Sequence, residues 1–303
     1  MTERTAASLA KVDCLMRPHL GRIARREVLC AAAGLKPVRL MVPEETLAQV
    51  VQVLRLAGLA ATTSVSTAWI AHDQGKGGWS SAAARPGEGE PFRHVYVSRI
   101  SAEADALRCA ESSGSPERFG RMLLVPACCR AMFINRCDAA AETTQNDFMG
   151  FSFPQACCEV PWTLNLGAQY FDAALISHYP CSPRCADSMR LAWLAWRIVR
   201  AASPDLAAGM RESMRRTVLY TERLGVHRLD GGVPEADGWM RVSGDGLAST
   251  YESDLTALLR MGGSLRVLPH GKIAWRTTDG EGTMSAEGAR LLVPEPVAEE
   301  RTP

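Results

Sequence analysis

The residues of this chain that are best suited to chemistry are cysteines. The 303-residue sequence holds ten of them, and seven lie between residues 120 and 197. These seven comprise two adjacent pairs, one Cys-x3-Cys spacing and one single residue: Cys128, Cys129, Cys137, Cys157, Cys158, Cys181 and Cys185. Thiolates are soft ligands that select zinc and iron–sulfur clusters. This density predicts a metal centre, with a 4Fe-4S iron–sulfur cluster as the first expectation and zinc as the alternative.

The Cys-x3-Cys spacing lies in a turn directly before a predicted helix. Two prolines exclude a regular helix through residues 178–185, whereas residues 186–201 carry apolar side chains at helical spacing. If Cys185 begins that helix, free N–H groups and the positive end of the helix dipole lie beside its sulfur and that of Cys181, and favour thiolates. We predict that both are ligands of the centre, with two buried structural cysteines as the alternative.

The adjacent pairs supply the remaining candidates. Neighbouring residues project in different directions, so one of Cys128 and Cys129 is expected to bind the same metal as the Cys-x3-Cys pair. Cys157 or Cys158 is predicted to be a further ligand or a reactive thiol. Three thiolates would leave one iron of a cubane open to substrate, as catalytic metal sites leave one position open. The spacing matches no standard zinc-ribbon or ferredoxin pattern.

Two neighbours of these cysteines are candidates for moving protons. His178 stands three residues before Cys181, and Glu159 directly follows Cys158. A carboxylate beside a dry, anionic cluster has a raised pKa and can act as a general acid. The alternatives are a histidine that binds the metal or caps the turn, and a carboxylate that caps a helix or lies at the surface.

The predicted function is that of a metalloenzyme acting on a small-molecule substrate. Its cluster would serve as a Lewis acid in a dehydratase or lyase step, transfer sulfur, or carry out redox chemistry. The alternatives are a zinc-binding protein, structural or hydrolytic, a non-catalytic metal-binding or assembly protein, and a metal-free thiol nucleophile with His178 as its base. No dinucleotide or Walker motif occurs, and no Cys-x3-Cys-x2-Cys, which disfavours a radical S-adenosylmethionine enzyme.

Composition excludes several kinds of partner. Lys plus Arg is 34 and Asp plus Glu is 33, a net charge of +1, so no basic field predicts binding to nucleic acid or to an anionic membrane. No apolar run is long enough to span a bilayer and no secretory signal is evident, which predicts a cytoplasmic protein with reduced thiols. A homodimer is left open.

Apolar patterns predict an α/β or α+β fold, in which a small N-terminal α/β layer packs on a mostly helical, cysteine-rich core with a C-terminal β-hairpin region. The predicted divisions are an N-terminal α/β region at 1–115, the cysteine-rich helical core with the metal or active site at 116–225, and a C-terminal α+β region and tail at 226–303.

Individual elements are also predicted. Residues 1–13 are predicted to be frayed and residues 18–33 to be helical, after which the N-terminal region should read strand, helix, strand, strand, helix. Residues 206–224 are predicted to be helical, and residues 265–275 to form a hairpin across a Pro-His-Gly-Lys turn. The last dozen residues, rich in proline, are predicted to be a tail.

Two segments around the cysteines carry a resemblance. They are GRMLLVPACC at residues 120–129 and HYPCSPRC at residues 178–185. The chain resembles a microbial protein family of uncharacterised function whose members carry Gly-x-Leu-Leu-Gly-Tyr-Pro-x-Cys-Cys and His-x-Pro-Cys-Ser-x-x-Cys; GLKP at residues 34–37 is similar as well. It departs at Met122 and at Leu124-Val125, where the family has Gly-Tyr. The resemblance implies no settled activity and adds weight to the cysteines.

Overall fold

The computed structural model of this chain describes residues 2–70, 87–144 and 148–296. Helices and strands are mixed, and the C-terminal strands form sheets, which confirms the predicted α/β or α+β class. The described strands form three sheets, one in the N-terminal third of the chain and two built largely from the C-terminal third. Residues 74–90, whose content of glycine, serine and alanine predicts a loop, lie mostly outside the described residues.

The chain begins with two helices rather than with a frayed segment. Helix α1 spans Glu3–Met16 and α2 spans Arg22–Ala32. Leu9, Val12 and Met16 recur at helical spacing and are buried, so α1 is stabilised by a stripe that packs on the protein core. The expectation of a frayed start was wrong. Leu9 and Val12 lie near the end of the expected frayed segment and Met16 lies beyond it, and their burial stabilises the helix.

The predicted order strand, helix, strand, strand, helix is confirmed in the N-terminal region, except that the first of the two strands expected between the helices is divided into two short strands. The sheet is antiparallel in the order β1-β4-β2, with the short β3 also paired to β4. Its elements are β1 (Val38–Pro43), α3 (Leu47–Leu56), β2 (Ala60–Thr63), β3 (Ala68–Ile70), β4 (Glu90–Ser98) and α4 (Ser101–Ser112).

The middle of the chain is mostly helical, as predicted. Helix α8 runs against α1, α2 and α9, and its Trp196 and Val199 are buried there. The helix predicted at residues 206–224 ends early and a strand follows it. The elements are α5 (Pro116–Met122), α6 (Ala127–Thr144), α7 (Met149–Ser152), α8 (Ala186–Ala202) and α9 (Pro204–Met214), with 3-10 turns at Trp162–Leu164 and Leu166–Phe171 between α7 and α8.

A mixed sheet joins the middle of the chain to its C-terminal end. The strand order is β10-β7-β6-β14-β5, and β14 lies parallel to β5. The predicted tail is wrong in its first residues, because Leu292 is buried in β14 between two other strands, and β14 continues to Pro294. The strands are β5 (Cys157–Val160), β6 (Thr217–Tyr220), β7 (Val226–Leu229), β10 (Leu247–Ser249) and β14 (Arg290–Pro294).

A second C-terminal sheet contains the predicted hairpin. It is antiparallel in the order β13-β12-β11-β9-β8, and β11 and β12 pair as expected across the turn at residues 269–271. Helix α10 covers it and buries Leu255 and Leu259. The elements are β8 (Val233–Pro234), β9 (Met240–Val242), α10 (Asp254–Arg260), β11 (Gly263–Leu268), β12 (Lys272–Thr277) and β13 (Gly280–Ser285).

One large hydrophobic core extends from the N-terminal sheet into the helical region. Val95 and Leu54 belong to it, and so do Trp196 and Met210. A smaller core lies under the last sheet. The division of the chain at residues 115 and 225 stays a prediction. For the metal centre, the main consequence is that α8 is anchored along its length by buried contacts.

Candidate metal centre

Four of the predicted cysteines meet at one point. The sulfur atoms of Cys128, Cys129, Cys181 and Cys185 all lie within 4.8 Å of one another. The sulfur of Cys185 is 3.7 Å from that of Cys128 and 3.6 Å from that of Cys129, and the two adjacent sulfurs are 3.9 Å apart. In the described part of the chain, no second group of three or more such side chains is found. Both Cys128 and Cys129 thus lie beside Cys181 and Cys185, whereas only one of the two was expected to do so.

The adjacent pair is positioned by a tight reversal between α5 and α6. After α5, the N–H of Val125 donates to the carbonyl of Gly120 (2.9 Å), and that of Leu124 donates to the carbonyl of Arg121 (3.1 Å). This pair of bonds is the Schellman motif, which requires a left-handed residue one position past the helix cap. Leu124 supplies it with φ 57°. Helix α6 then begins at Ala127, so both cysteines lie in its first turn.

The side chain of Arg130 stabilises the turn between α5 and α6. The guanidinium of Arg130 donates to the carbonyl of Val125 and pairs with Glu117 at 2.9 Å, so it connects α6 to α5 and to the turn between them. Its side chain passes directly over Gly120, where an added Cβ would lie 2.8 Å from the Arg130 Cδ. Gly120 is therefore required for close approach, because any larger residue would displace the arginine.

The second pair of sulfurs comes from the proline-containing turn and from α8. Cys185 is the N-cap residue of α8, as the sequence predicted, and its N–H donates to the carbonyl of Ser182 in the preceding turn (3.2 Å). The N–H of Cys181 donates to the sulfur of Cys129 at 3.3 Å. Two helix N-termini, those of α6 and α8, thus lie beside the four sulfurs. Their free N–H groups and dipoles favour negative charge at this position.

An aromatic cluster holds α6 against the turn. Phe148 is 2% exposed and stacks on Phe133 of α6, with ring centroids 4.9 Å apart. Its ring centroid is also 5.6 Å from that of Tyr179, in the turn before Cys181. Aromatic contacts of this kind stabilise a fold by more than the burial of their apolar area alone would predict. The cluster therefore fixes the approach of two segments that are far apart in the sequence.

Ser188 connects the sulfurs to His178. Its hydroxyl is buried, 3.3 Å from the sulfur of Cys129 and 2.8 Å from Nε2 of His178. A hydroxyl carries one proton, so when Ser188 donates to a thiolate it accepts from the N–H of the imidazole. The hydroxyl of Ser188 therefore lies between His178 and the thiols, and His178 is not a member of the four-sulfur group. Ser188 was missed by sequence reasoning, although its position three residues after Cys185 is one helical turn away.

The thiols differ in their readiness to ionise. Burial raises the pKa of Cys129 well above its usual range, and burial together with the neighbouring sulfurs raises the pKa of Cys181 to about 11. Burial also opposes ionisation of Cys185, but the hydroxyl and N–H of Ser188, together with the thiols of Cys129 and Cys128, outweigh it and lower the pKa to about 7. A bound cation would offset the repulsion between thiolates at this distance.

A buried ionic group lies next to His178. Arg26 and Glu27 are almost fully buried and form an ion pair of 2.5 Å, and Lys36 pairs with the same carboxylate at 3.1 Å. The hydroxyl of Ser177 bonds to both Arg26 and Glu27. The group carries one net positive charge. Burial, and next the charge of Lys36, lower the pKa of His178 to about 3, so its imidazole is neutral at physiological pH.

The second cysteine pair and the acidic candidate lie elsewhere. Cys157 and Cys158 are in β5 and do not join the four-sulfur group; the thiol of Cys158 donates to the carbonyl of Gln155. Glu159 has 71% of its side chain exposed and pairs with Arg184 at 3.5 Å, so it does not lie in the dry surroundings beside the sulfurs that were expected for it. Proton transfer by Glu159 and reactivity of this pair stay predictions.

The four-sulfur group can hold a metal ion. Four thiolates around one tetrahedral ion, each about 2.3 Å from the metal, lie about 3.8 Å from one another. The separations among the sulfurs of Cys128, Cys129 and Cys185, 3.6 to 3.9 Å, match this value. The donor set, the helix N-termini and the second-sphere hydroxyl all suit a cation bound by thiolates.

Comparison with known proteins assigns neither a family nor a function to this chain. No family model, no curated protein and no solved structure matches this chain. Within the described residues, no helix has both the length and the apolar character needed to cross a membrane. Inferences about function therefore depend on the four-sulfur group and its surroundings.

Proposed function

We propose that this chain is a zinc protein, in which one ion is bound by the thiolates of Cys128, Cys129, Cys181 and Cys185. The observation that supports this most directly is the sulfur spacing: the sulfurs of Cys128, Cys129 and Cys185 lie 3.6 to 3.9 Å apart, as around a single tetrahedral ion, and that of Cys181 lies within 4.8 Å of them. The ion would connect the start of α6, the proline-containing turn and the start of α8. Its binding energy would thus stabilise the junction between these segments.

The same spacing bears on the iron–sulfur hypothesis. In a 4Fe-4S cluster each thiolate binds a different iron, so the ligating sulfurs lie roughly 6 Å apart. All four sulfurs here lie within 4.8 Å, which favours a single ion over a cubane. A cluster enzyme with dehydratase, lyase, sulfur-transfer or redox activity, and a small-molecule substrate, remains the second proposal, and metal analysis separates it from the first.

The test is metal analysis of the purified chain, prepared in air and also anaerobically. We expect about one zinc per chain and no visible absorbance, because zinc is d10 and redox-silent. Cys129→Ser and Cys185→Ser should lose the zinc, whereas Cys157→Ser, outside the group, should retain it. Retention of full zinc by both of the first two variants would overturn the tetrathiolate assignment.

A different outcome would support the second proposal. About four irons and four sulfides per chain, with a brown colour in the anaerobic sample, would identify a cubane cluster. A chain that binds neither metal after reconstitution would overturn both proposals and leave four packed thiols.

A further inference from the structure

The four sulfurs of the group differ in exposure. Cys129 and Cys185 are buried, with 1% and 6% of their surface exposed, and Cys181 is half-buried. Cys128 is exposed. It is therefore the sulfur of the four that a molecule arriving from solvent meets first.

The sulfurs also differ in their hydrogen bonds. The sulfur of Cys129 accepts from the N–H of Cys181 and is in contact with the hydroxyl of Ser188. Ser188 also follows Cys185 within the first turn of α8. Cys128, in contrast, has only other sulfur atoms as hydrogen-bonding neighbours among the described residues. Its charge is thus dispersed less by polar contacts than that of Cys129 or Cys185.

These two differences decide which thiolate reacts. A divalent ion with four thiolates has a net charge of about −2, and a metal-bound thiol is deprotonated outright. Hydrogen bonds to a thiolate draw off charge and weaken it as a nucleophile, and burial blocks access. Cys128 is exposed and lacks such donors, so it combines both conditions for attack on an electrophile.

We propose that Cys128 is the nucleophile of the centre, and that the centre accepts an alkyl group from a soft carbon electrophile. This inference rests on the proposed tetrathiolate site. The sulfur of Cys128 forms an S–C bond as the bond between carbon and its leaving group breaks, and the leaving group departs with the electron pair. The product is a thioether, a neutral and weaker ligand, so the net negative charge of the site falls by one. No oxidant or reductant takes part.

The experiment uses zinc-loaded full-length protein and iodoacetamide as the probe. Labelling at pH 6 keeps more than about 99% of ordinary thiols protonated, so unligated cysteines react slowly. Cys14 and Cys109 are exposed and serve as internal controls. Trypsin releases residues 122–130 as one peptide, and fragment ions then distinguish the label on Cys128 from that on Cys129. Zinc is measured on the same samples before and after labelling.

We expect Cys128 to be labelled at least about ten-fold faster than Cys14, Cys109 or Cys129, and this advantage to disappear after a strong chelator removes zinc. Labelling of Cys128 no faster than that of Cys109, in protein that holds zinc, would overturn the inference and leave the metal site standing. Faster labelling of Cys181 than of Cys128 would also overturn it. Absence of zinc from the starting protein would instead overturn the proposed function itself.

Discussion

Leu124 occupies a backbone position that normally belongs to glycine. It is the left-handed residue of the Schellman motif between α5 and α6, with φ 57°, and it lies four residues before Cys128. We predict that Leu124→Gly is more stable than Leu124→Ala, since both remove the same partly exposed side chain and only alanine keeps the strained Cβ.

The magnitude follows from two opposing effects. A left-handed conformation costs an L-residue about 1–2 kcal/mol, and glycine escapes this cost. Glycine also gives the unfolded chain more freedom, which costs roughly 0.4–1 kcal/mol relative to alanine. The difference leaves the glycine variant more stable by about 0.5–1 kcal/mol. Removal of the leucine side chain, which is 44% exposed, is common to both variants and cancels in the comparison.

Urea unfolding of the two variants measures this difference, provided that their m-values agree. Leu123 supplies the matched control: it has φ −77°, so Leu123→Gly should be less stable than Leu123→Ala. Equal stability of the two Leu124 variants, or greater stability of the alanine variant, would refute the strain argument. If the glycine variant were the more stable one at both positions, backbone freedom rather than a left-handed turn would explain the stability differences in this segment.

Three further predictions concern the metal and its surroundings. Removal of zinc by a strong chelator should lower the free energy of unfolding by about 4 kcal/mol if the free metal had stood at a thousand times its dissociation constant, and a melting temperature unaffected by the chelator would contradict a bound ion. Ser188→Ala should weaken zinc binding by about 10- to 100-fold in a competition titration, whereas Ser182→Ala, which removes no hydrogen bond to sulfur among the described residues, should have no such effect. Burial opposes ionisation of Glu27, but its two cationic neighbours and Ser177 prevail and lower its pKa from 4.5 to about 2, so the resulting stability is fully present above pH 4.5 and is lost as the pH falls through 2. It amounts to about 3 kcal/mol, of which roughly 2 kcal/mol should be lost between pH 5 and pH 3; an equally steep loss in Glu27→Gln would show that other groups are responsible.

Local sequence patterns were sufficient for several parts of the site. The prolines before Ala186 predicted a turn followed by a helix, and Cys185 is indeed the N-cap of α8. Such features depend on a few neighbouring residues, whose backbone preferences hold in most surroundings. The same reasoning failed at the chain ends, where the buried stripe of α1 and the pairing of β14 with β5 are set by distant partners.

The sequence by itself determined that this chain is rich in soft ligands and that one pair of them precedes a helix. Only the tertiary structure decided which cysteines meet: Cys128 and Cys129 join the group because both lie in the first turn of α6, while Cys157 and Cys158 are held in β5 by the strand that pairs with it. It also decided that Ser188 lies between sulfur and His178. The physical reason is that a metal site is defined by distances across the fold, and these follow from how α6 and α8 pack rather than from spacing along the chain.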